Sequence, residues 1–166
     1  DLIRSRGLGD VYKRQDLAKE MGSMYVSISP LQKKLFPGTI GCLEELKSVG
    51  FQLHIITNGF EEVQYIKLEN CGLDGFFDVV VCSESVGKNK PARAIFQYAL
   101  KEAGCKAENA LMIGDDFRAD ISGALNSGMK AIHFDPHGLS EENYPYTCKS
   151  LSEMPLMVTQ LLLASN

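Results

Sequence analysis

Residues 110–120 read ALMIGDDFRAD, an apolar run that ends in a glycine and then carries the carboxylates of Asp115, Asp116 and Asp120. The apolar residues predict a buried β-strand, and the small residues that follow, from Arg118 to Ser127, predict a helix. Neighbouring carboxylates repel one another unless a cation lies between them, and oxygen ligands suit Mg²⁺. Capping of a helix by aspartate explains one carboxylate but not three, so this stretch favours a metal site.

Strands and helices alternate along most of the chain. The apolar patterns predict strands over 51–57, 78–83, 110–115 and 129–134, and helices over 39–49, 60–71, 91–103 and 151–163. Strands separated by helices of this length indicate βαβ units and a parallel sheet, which is the α/β class of fold. Ligands of such sheets bind beyond the carboxyl ends of the strands, so the residues at those ends are the candidates for function.

Two of these strand ends carry groups suited to an anion. Thr57, Asn58 and Gly59 offer a hydroxyl, an amide and a flexible backbone ahead of a helix, which are the groups that bind phosphate. A helix cap followed by an Asn-Gly turn is the structural alternative for the same residues. Lys88 and Lys90 precede a predicted helix, where a lysine opposes the helix dipole but can neutralise a phosphoryl group, although a solvated loop lysine explains them equally well.

Composition narrows the class of protein. The 166 residues are 45% hydrophobic and 23% charged, which indicates a folded domain. The net charge of -4 disfavours binding to a nucleic acid polymer. No apolar run approaches the length of a membrane span. The five cysteines are odd in number and form no C-x-x-C pair, which is typical of reduced thiols and favours a cytoplasmic location.

The residues Thr57, Lys90-Pro91 and Gly114-Asp115-x-x-x-x-Asp120, in this order, resemble motifs two, three and four of the haloacid dehalogenase (HAD) superfamily. Most members are Mg²⁺-dependent phosphohydrolases. The resemblance covers about residues 36–166, and TNGFEEVQYIKLENCGL, residues 57–73, is most similar to the pyrimidine 5′-nucleotidase branch. It implies a Rossmann-like three-layer fold around a parallel sheet.

The resemblance also implies a role for each matching residue. Thr57, Asn58 and Gly59 would bind the phosphoryl oxygens, with Thr57 and Lys90 as the catalytic residues of this chain. Lys90 would stabilise the negative charge. Asp115 would ligate Mg²⁺, and Asp120 would complete the metal site by holding the metal's waters or Lys90. The family usually places a small polar residue at the position of Asp116.

The chain departs from the family because it contains no D-x-D motif, which supplies the aspartyl nucleophile and the general acid. We therefore expect an N-terminally truncated protein that lacks the first, central strand of its sheet. Residues 1–15, which end in the adapter-like string DVYKRQ, form a non-native segment in this interpretation, 16–37 a remnant of a helical cap, and 38–166 the hydrolase core. The strands over 51–57 and 110–114 should then stand two strand spacings apart, about 9.6 Å, without a hydrogen-bond ladder between them.

The expected activity of the whole protein is dephosphorylation of a small phosphorylated metabolite, a nucleotide or sugar phosphate and foremost a pyrimidine nucleoside 5′-monophosphate, through a phosphoaspartate. The 166 residues alone should be inactive. Two alternatives stay open: a non-catalytic module that binds phosphate or protein, and a hydrolase of carbon–halogen bonds. A receiver domain of a signalling protein is disfavoured, because its acidic pair precedes its Thr and its Lys comes last.

Overall fold

The computed structural model describes residues 2–163, with side chains described for residues 14–162. The helices are α1 (Leu2–Ile28), α2 (Thr39–Ser48), α3 (Glu61–Asn70), α4 (Ser83–Val86), α5 (Arg93–Glu102), α6 (Gly123–Asn126) and α7 (Met154–Leu163). The strands are β1 (His54–Thr57), β2 (Val79–Cys82), β3 (Leu111–Gly114), β4 (Lys130–Phe134) and β5 (Thr147–Cys148). A π-helix (Phe117–Ser122) precedes α6, and two short 3-10 turns cover Ser29–Leu31 and Ala107–Asn109.

The strands form two parallel sheets instead of one. β1 pairs with β2, and β4 lies between β3 and β5. Within residues 2–163, no ladder joins β1 to β3. The sequence-based prediction that these two strands do not pair is therefore confirmed.

The helices cover both faces of the strands, as expected for a three-layer α/β fold. On one face, α2 and α7 contribute Cys42, Leu46, Met154 and Val158 to an apolar cluster with β4 and β5. On the other face, α5 and α6 pack against β2 and β4 through a second cluster that contains Ile95, Phe96, Ala99 and Ala124. These two layers hold the carboxyl ends of the strands in fixed positions.

A cavity of about 670 Å³ lies between β1 and β3. Ile55 and Ile56 line it from β1, and Leu111 and Ile113 line it from β3. The helices α2, α5 and α7 close it with further apolar side chains. Backbone N–H and C=O groups on the facing edges of the two strands have no ladder partner within the described residues, so this gap is apolar in its walls and polar along its edges.

Several elements differ from the sequence-based predictions. Helix α1 runs without a break from Leu2 to Ile28, across the boundary that the sequence interpretation placed after residue 15. Its side chains from residue 14 to residue 28 are all exposed, so no buried face imposes an apolar period on the sequence. The strands are also shorter than predicted, and β5, with two residues, was missed. Neither α1 nor any other helix in the described part has the length and apolar character that a membrane span requires.

Candidate active site

The loop after β1 is tied to the loop that precedes α5 by a single side chain. The Asn58 Oδ1 accepts a hydrogen bond from the Lys90 N–H at 2.7 Å, and the Asn58 Nδ2 donates to the Lys90 carbonyl at 3.2 Å. Thr57, the last residue of β1, accepts the Gly59 N–H on its Oγ1 at 3.1 Å. Thr57 thus closes the local turn, which belongs to the structural alternative that the sequence left open, although Phe60 and not Thr57 is the N-cap of the helix. Asn58 anchors Lys90, a contact that the sequence did not predict.

A buried ion pair then links Lys90 to the turn after β3. The Lys90 Nζ lies 2.6 Å from Asp120 Oδ1, and Asp120 is only 4% exposed. Apart from this ion pair, Asp120 Oδ1 accepts no hydrogen bond within the described part of the chain. The other oxygen, Asp120 Oδ2, accepts the Asp116 N–H at 3.2 Å. Asn58, Lys90 and Asp120 therefore come together from three strand ends, as the motif order predicts.

The three carboxylates after β3 have three different environments. Asp116 caps the π-helix, because its Oδ1 accepts the Ala119 N–H at 2.7 Å. Asp120 is paired with Lys90, and the exposed Asp115 side chain contacts no hydrogen-bond or ion-pair partner among the described residues. Two of the three carboxylates thus have partners within the protein, and the prediction of a metal site depends mainly on Asp115.

Helix α3 does not present its first N–H to a ligand. The Glu61 N–H donates to Glu84 Oε2 at 3.1 Å, and the Ser85 hydroxyl donates to Glu61 Oε2 at 3.0 Å. A carboxylate from α4 thus occupies the positive end of the α3 dipole. The first N–H of α3 is therefore not available to a phosphate. Sequence reasoning missed Glu84, because a capping contact across 23 residues leaves no periodic signal.

The two candidate lysines also differ. Lys88 is exposed, whereas Lys90 is largely buried by its contact with Asp120. Helix α5 begins at Arg93 and not at Pro91, so Lys90 lies outside the first helical turn and its charge is balanced by a carboxylate instead of opposing the dipole. The Lys90-Pro91 peptide bond is cis.

Gly114 and His133 support the turn that carries the acidic residues. A Cβ at Gly114 would collide with the Asp120 side chain, so only glycine lets this side chain fold back over the end of β3. On β4, His133 Nε2 lies 3.2 Å from the Asp115 carbonyl oxygen, and its ring stacks edge-on with Phe117. His133 is buried, with 2% of its surface exposed.

Asp135 follows β4 at the same edge of the sheet and holds its own loop. Its carboxylate accepts the N–H groups of Ser140 at 3.1 Å and Leu139 at 3.0 Å. These backbone hydrogen bonds, with that from Ser140 the largest influence, hold the pKa of Asp135 below its usual value. Asp135 is thus an ionised loop anchor.

In this arrangement, Asp115 is the residue that fits as a ligand of a divalent metal. Within residues 14–162 there is no group of three or more His, Cys, Asp or Glu side chains placed to hold a metal. Mg²⁺ needs only one or two protein carboxylates when waters and a phosphate complete its shell. Asp115, exposed and without a protein partner, fits as such a ligand, whereas Asp120 holds Lys90, the second of the two tasks expected of it.

The fold and this constellation define an α/β domain with parallel sheets and a lysine–aspartate pair at the carboxyl edge of those sheets. Residues 9–134 match the haloacid dehalogenase-like hydrolase family, and the chain belongs to that family. The family match begins at residue 9, inside the 1–15 segment. It therefore does not separate this segment from the rest of the chain.

Phosphatases are among the similar proteins. The glyceraldehyde 3-phosphate phosphatase of Methanothermobacter thermautotrophicus is 47% identical over 97 residues, which are 58% of this chain and 43% of that protein. The pyrimidine 5′-nucleotidase YjjG of Escherichia coli is 39% identical over 102 residues, 61% of this chain and 45% of its own length. The crystal structure of a HAD phosphatase from Thermococcus onnurineus has a TM-score of 0.71 at 33% identity and covers 75% of this chain and 58% of that one. The chain thus spans about half the length of the curated relatives it matches.

Proposed function

We propose that this chain is the larger part of the catalytic core of a Mg²⁺-dependent phosphohydrolase that acts on small phosphorylated metabolites. The observation that carries the proposal is the constellation of Asn58, Lys90 and Asp120 at the carboxyl edge of two parallel sheets, next to the free carboxylate of Asp115. A similarity to enzymes named as phosphatases of sugar phosphates and nucleotides supports it. Among substrates we favour a pyrimidine nucleoside 5′-monophosphate, with a triose phosphate as the second candidate because a phosphatase of that substrate is 47% identical.

Each residue of the chain has a task in this proposal. The ammonium group of Lys90 has three N–H donors, of which Asp120 engages one, so the others can bind a phosphoryl oxygen and offset its charge. Thr57 lies at the end of β1, where its hydroxyl can donate to the same group. Asp115 would hold the Mg²⁺, which supplies charge neutralisation when bound. We place the chain in the cytoplasm, where the reduced state of its five free cysteines is stable.

The residues assigned to this site do not include a covalent nucleophile. The chain contains no D-x-D motif, and the gap between β1 and β3 leaves the facing edges of both strands without a ladder partner in the described residues. We propose that a strand encoded upstream fills this gap and brings the nucleophilic aspartate to the carboxyl edge beside Lys90. In this proposal residues 16–37 belong to a helical cap and residues 1–15 are foreign to the protein.

The test is turnover by two proteins, the 166-residue chain and the product of the longer gene. We expect the short chain to release no phosphate, since loss of a covalent nucleophile removes the reaction route. The longer protein should hydrolyse members of a panel of nucleoside 5′-monophosphates and triose phosphates only with Mg²⁺. Halide release from a 2-haloacid would instead identify a carbon–halogen hydrolase, and no turnover of either kind would identify a non-catalytic module.

Two neighbouring substitutions in the longer protein test the metal assignment. Asp115→Ala should abolish the dependence on Mg²⁺ together with most of the rate. Asp116→Ala is the matched control, because Asp116 caps the π-helix and should cost stability but leave Mg²⁺ dependence intact. Normal activity of Asp115→Ala would contradict the assignment.

A further inference from the structure

Asn58 holds the main chain of Lys90 at both of its polar groups. The amide oxygen accepts the Lys90 N–H at 2.7 Å, and the amide nitrogen donates to the Lys90 carbonyl at 3.2 Å. A side-chain amide is suited to this task because it carries an acceptor and a donor on one rigid plane. Aspartate can only accept there, and alanine can do neither.

Lys90 needs such an anchor because its own segment has no regular structure. It lies between α4, which ends at Val86, and α5, which begins at Arg93. The following residue is Pro91, which has no N–H to contribute. The contacts of Glu84 and Ser85 with Glu61 join α4 to α3 and lie before this segment. A hydrogen bond from the Ala92 N–H to the Asn89 carbonyl at 2.9 Å closes a turn around Lys90 but does not engage its own N–H or carbonyl.

The clamp is also the first link of a chain of contacts that crosses the gap between the sheets. Asn58 follows β1, Lys90 follows β2, and the Lys90 Nζ meets Asp120 beyond β3 at 2.6 Å. Because the main chain of Lys90 is fixed at both polar groups, its side chain extends from a defined point toward Asp120. The position of the ammonium group is thus set from two directions, by Asn58 at its base and by Asp120 at its tip.

We propose that Asn58 is the positioning residue for Lys90, and that it influences phosphate through Lys90 instead of binding phosphate itself. This rests on the proposed function in one respect, the action of Lys90 on a phosphoryl group. It departs from the role as a phosphate ligand that the family resemblance suggested for Asn58.

The first experiment measures the dissociation constant for inorganic phosphate in the 166-residue chain and its Asn58→Ala, Lys90→Ala and doubly substituted forms. We expect Asn58→Ala to weaken binding about tenfold, as for one lost hydrogen bond to a charged group, and to have no further effect when Lys90 is already alanine. Asn70→Ala is the matched control, because Asn70 also bonds a distant main-chain group, the Pro30 carbonyl at 2.9 Å, outside the site. An equal loss with and without Lys90 would overturn the proposal, because Asn58 would then contact phosphate directly.

The second experiment does not depend on phosphate, so a chain that binds none would refute the proposed function but still test the clamp. Hydrogen exchange of the Lys90 backbone amide should be at least about tenfold faster in Asn58→Ala, while β2 amides keep their protection. Asn58→Asp retains an acceptor and should keep the Lys90 amide protected. This variant is used for the measurement if the alanine variant does not fold. An unchanged exchange rate of Lys90 in Asn58→Ala would overturn the clamp.

Discussion

The ion pair of Lys90 and Asp120 is buried, with side chains 11% and 5% exposed. Removal of one partner leaves an uncompensated charge, so Lys90→Ala should lower the free energy of unfolding by about 3–5 kcal/mol. Replacement of both partners by Met and Leu should cost much less, because no charge is then buried alone. Urea denaturation measures both effects.

The control for this prediction is an exposed pair in the same chain. Lys106 and Glu108 are 3.8 Å apart with side chains 81% and 73% exposed, and Lys106→Ala should change stability by less than about 0.5 kcal/mol. If Lys90→Ala proves as mild as Lys106→Ala, the Lys90–Asp120 contact does not exist in solution.

The cysteines provide a second prediction at this scale. Burial raises the pKa of the thiols of Cys42, Cys82 and Cys148, whereas Cys71 and Cys105 are partly exposed. The thiolate is the reactive form, so at pH 8 iodoacetamide should modify Cys71 and Cys105 at least about tenfold faster than the buried three. Mass spectrometry of digests resolves the sites. Equal rates at all five cysteines would mean that the core is open.

Among the elements, α6 is built to approach α5 closely. A Cβ on Gly123 would lie 2.6 Å from Phe96 Cε2 and 3.1 Å from the Cα of Pro91. Alanine has the better helix propensity, but the collision outweighs it, and Gly123→Ala should destabilise the protein by about 1–3 kcal/mol. Thermal unfolding measures the change.

Gly41 in α2 is the matched control for Gly123. It is a helical glycine with no atom within 4 Å of an added Cβ, so Gly41→Ala should stabilise by up to about 1 kcal/mol. Similar effects of the two substitutions would show that close packing between α5 and α6 does not limit the side chain at position 123.

The elements that the sequence predicted are those with a buried face. α2 and α5 carry apolar residues at the helical period, and β2 and β4 are nearly continuous apolar runs, because each of these elements packs against the core. α1 and β5 lack that signal, since the described side chains of α1 through residue 28 are exposed and β5 has two residues. The π-helix differs from an α-helix by one residue per turn, a difference that a six-residue segment does not encode in its apolar spacing.

The candidate site also has a part that the sequence predicted and a part that it did not predict. The positions of Thr57, Lys90 and Asp120 at strand ends follow from the motif order and from the geometry of parallel strands. The partners of these residues do not, because a contact such as Asn58 with the Lys90 main chain joins segments 32 residues apart and requires no particular neighbours in sequence. The capping of α3 by Glu84 is of the same kind.

At the scale of the whole molecule, the gap between β1 and β3 predicts a pattern of hydrogen exchange that does not depend on catalysis. Successive N–H groups of a strand point to opposite sides, so in β1 and β3 only every second amide has a ladder partner. In β4, by contrast, His133 is paired with both β3 and β5. Hydrogen exchange of the 166-residue chain should therefore alternate between slow and fast along β1 and β3. The exposed edges should also cause aggregation that increases with concentration.

Extension of the chain by the upstream part of its gene should remove the alternation. A strand that enters the gap pairs with both edges, so all interior amides of β1 and β3 should become slow to exchange and the aggregation should cease. As a control, a proline in the middle of the added strand removes one N–H donor and disrupts the pairing of a central strand. This variant should restore fast exchange of amides in β1 and β3 near the proline. Uniform slow exchange in the 166-residue chain itself would instead mean that the two sheets close on each other in solution. The upstream strand would then have no place between them, and the assignment of the nucleophile to that strand would fail with it.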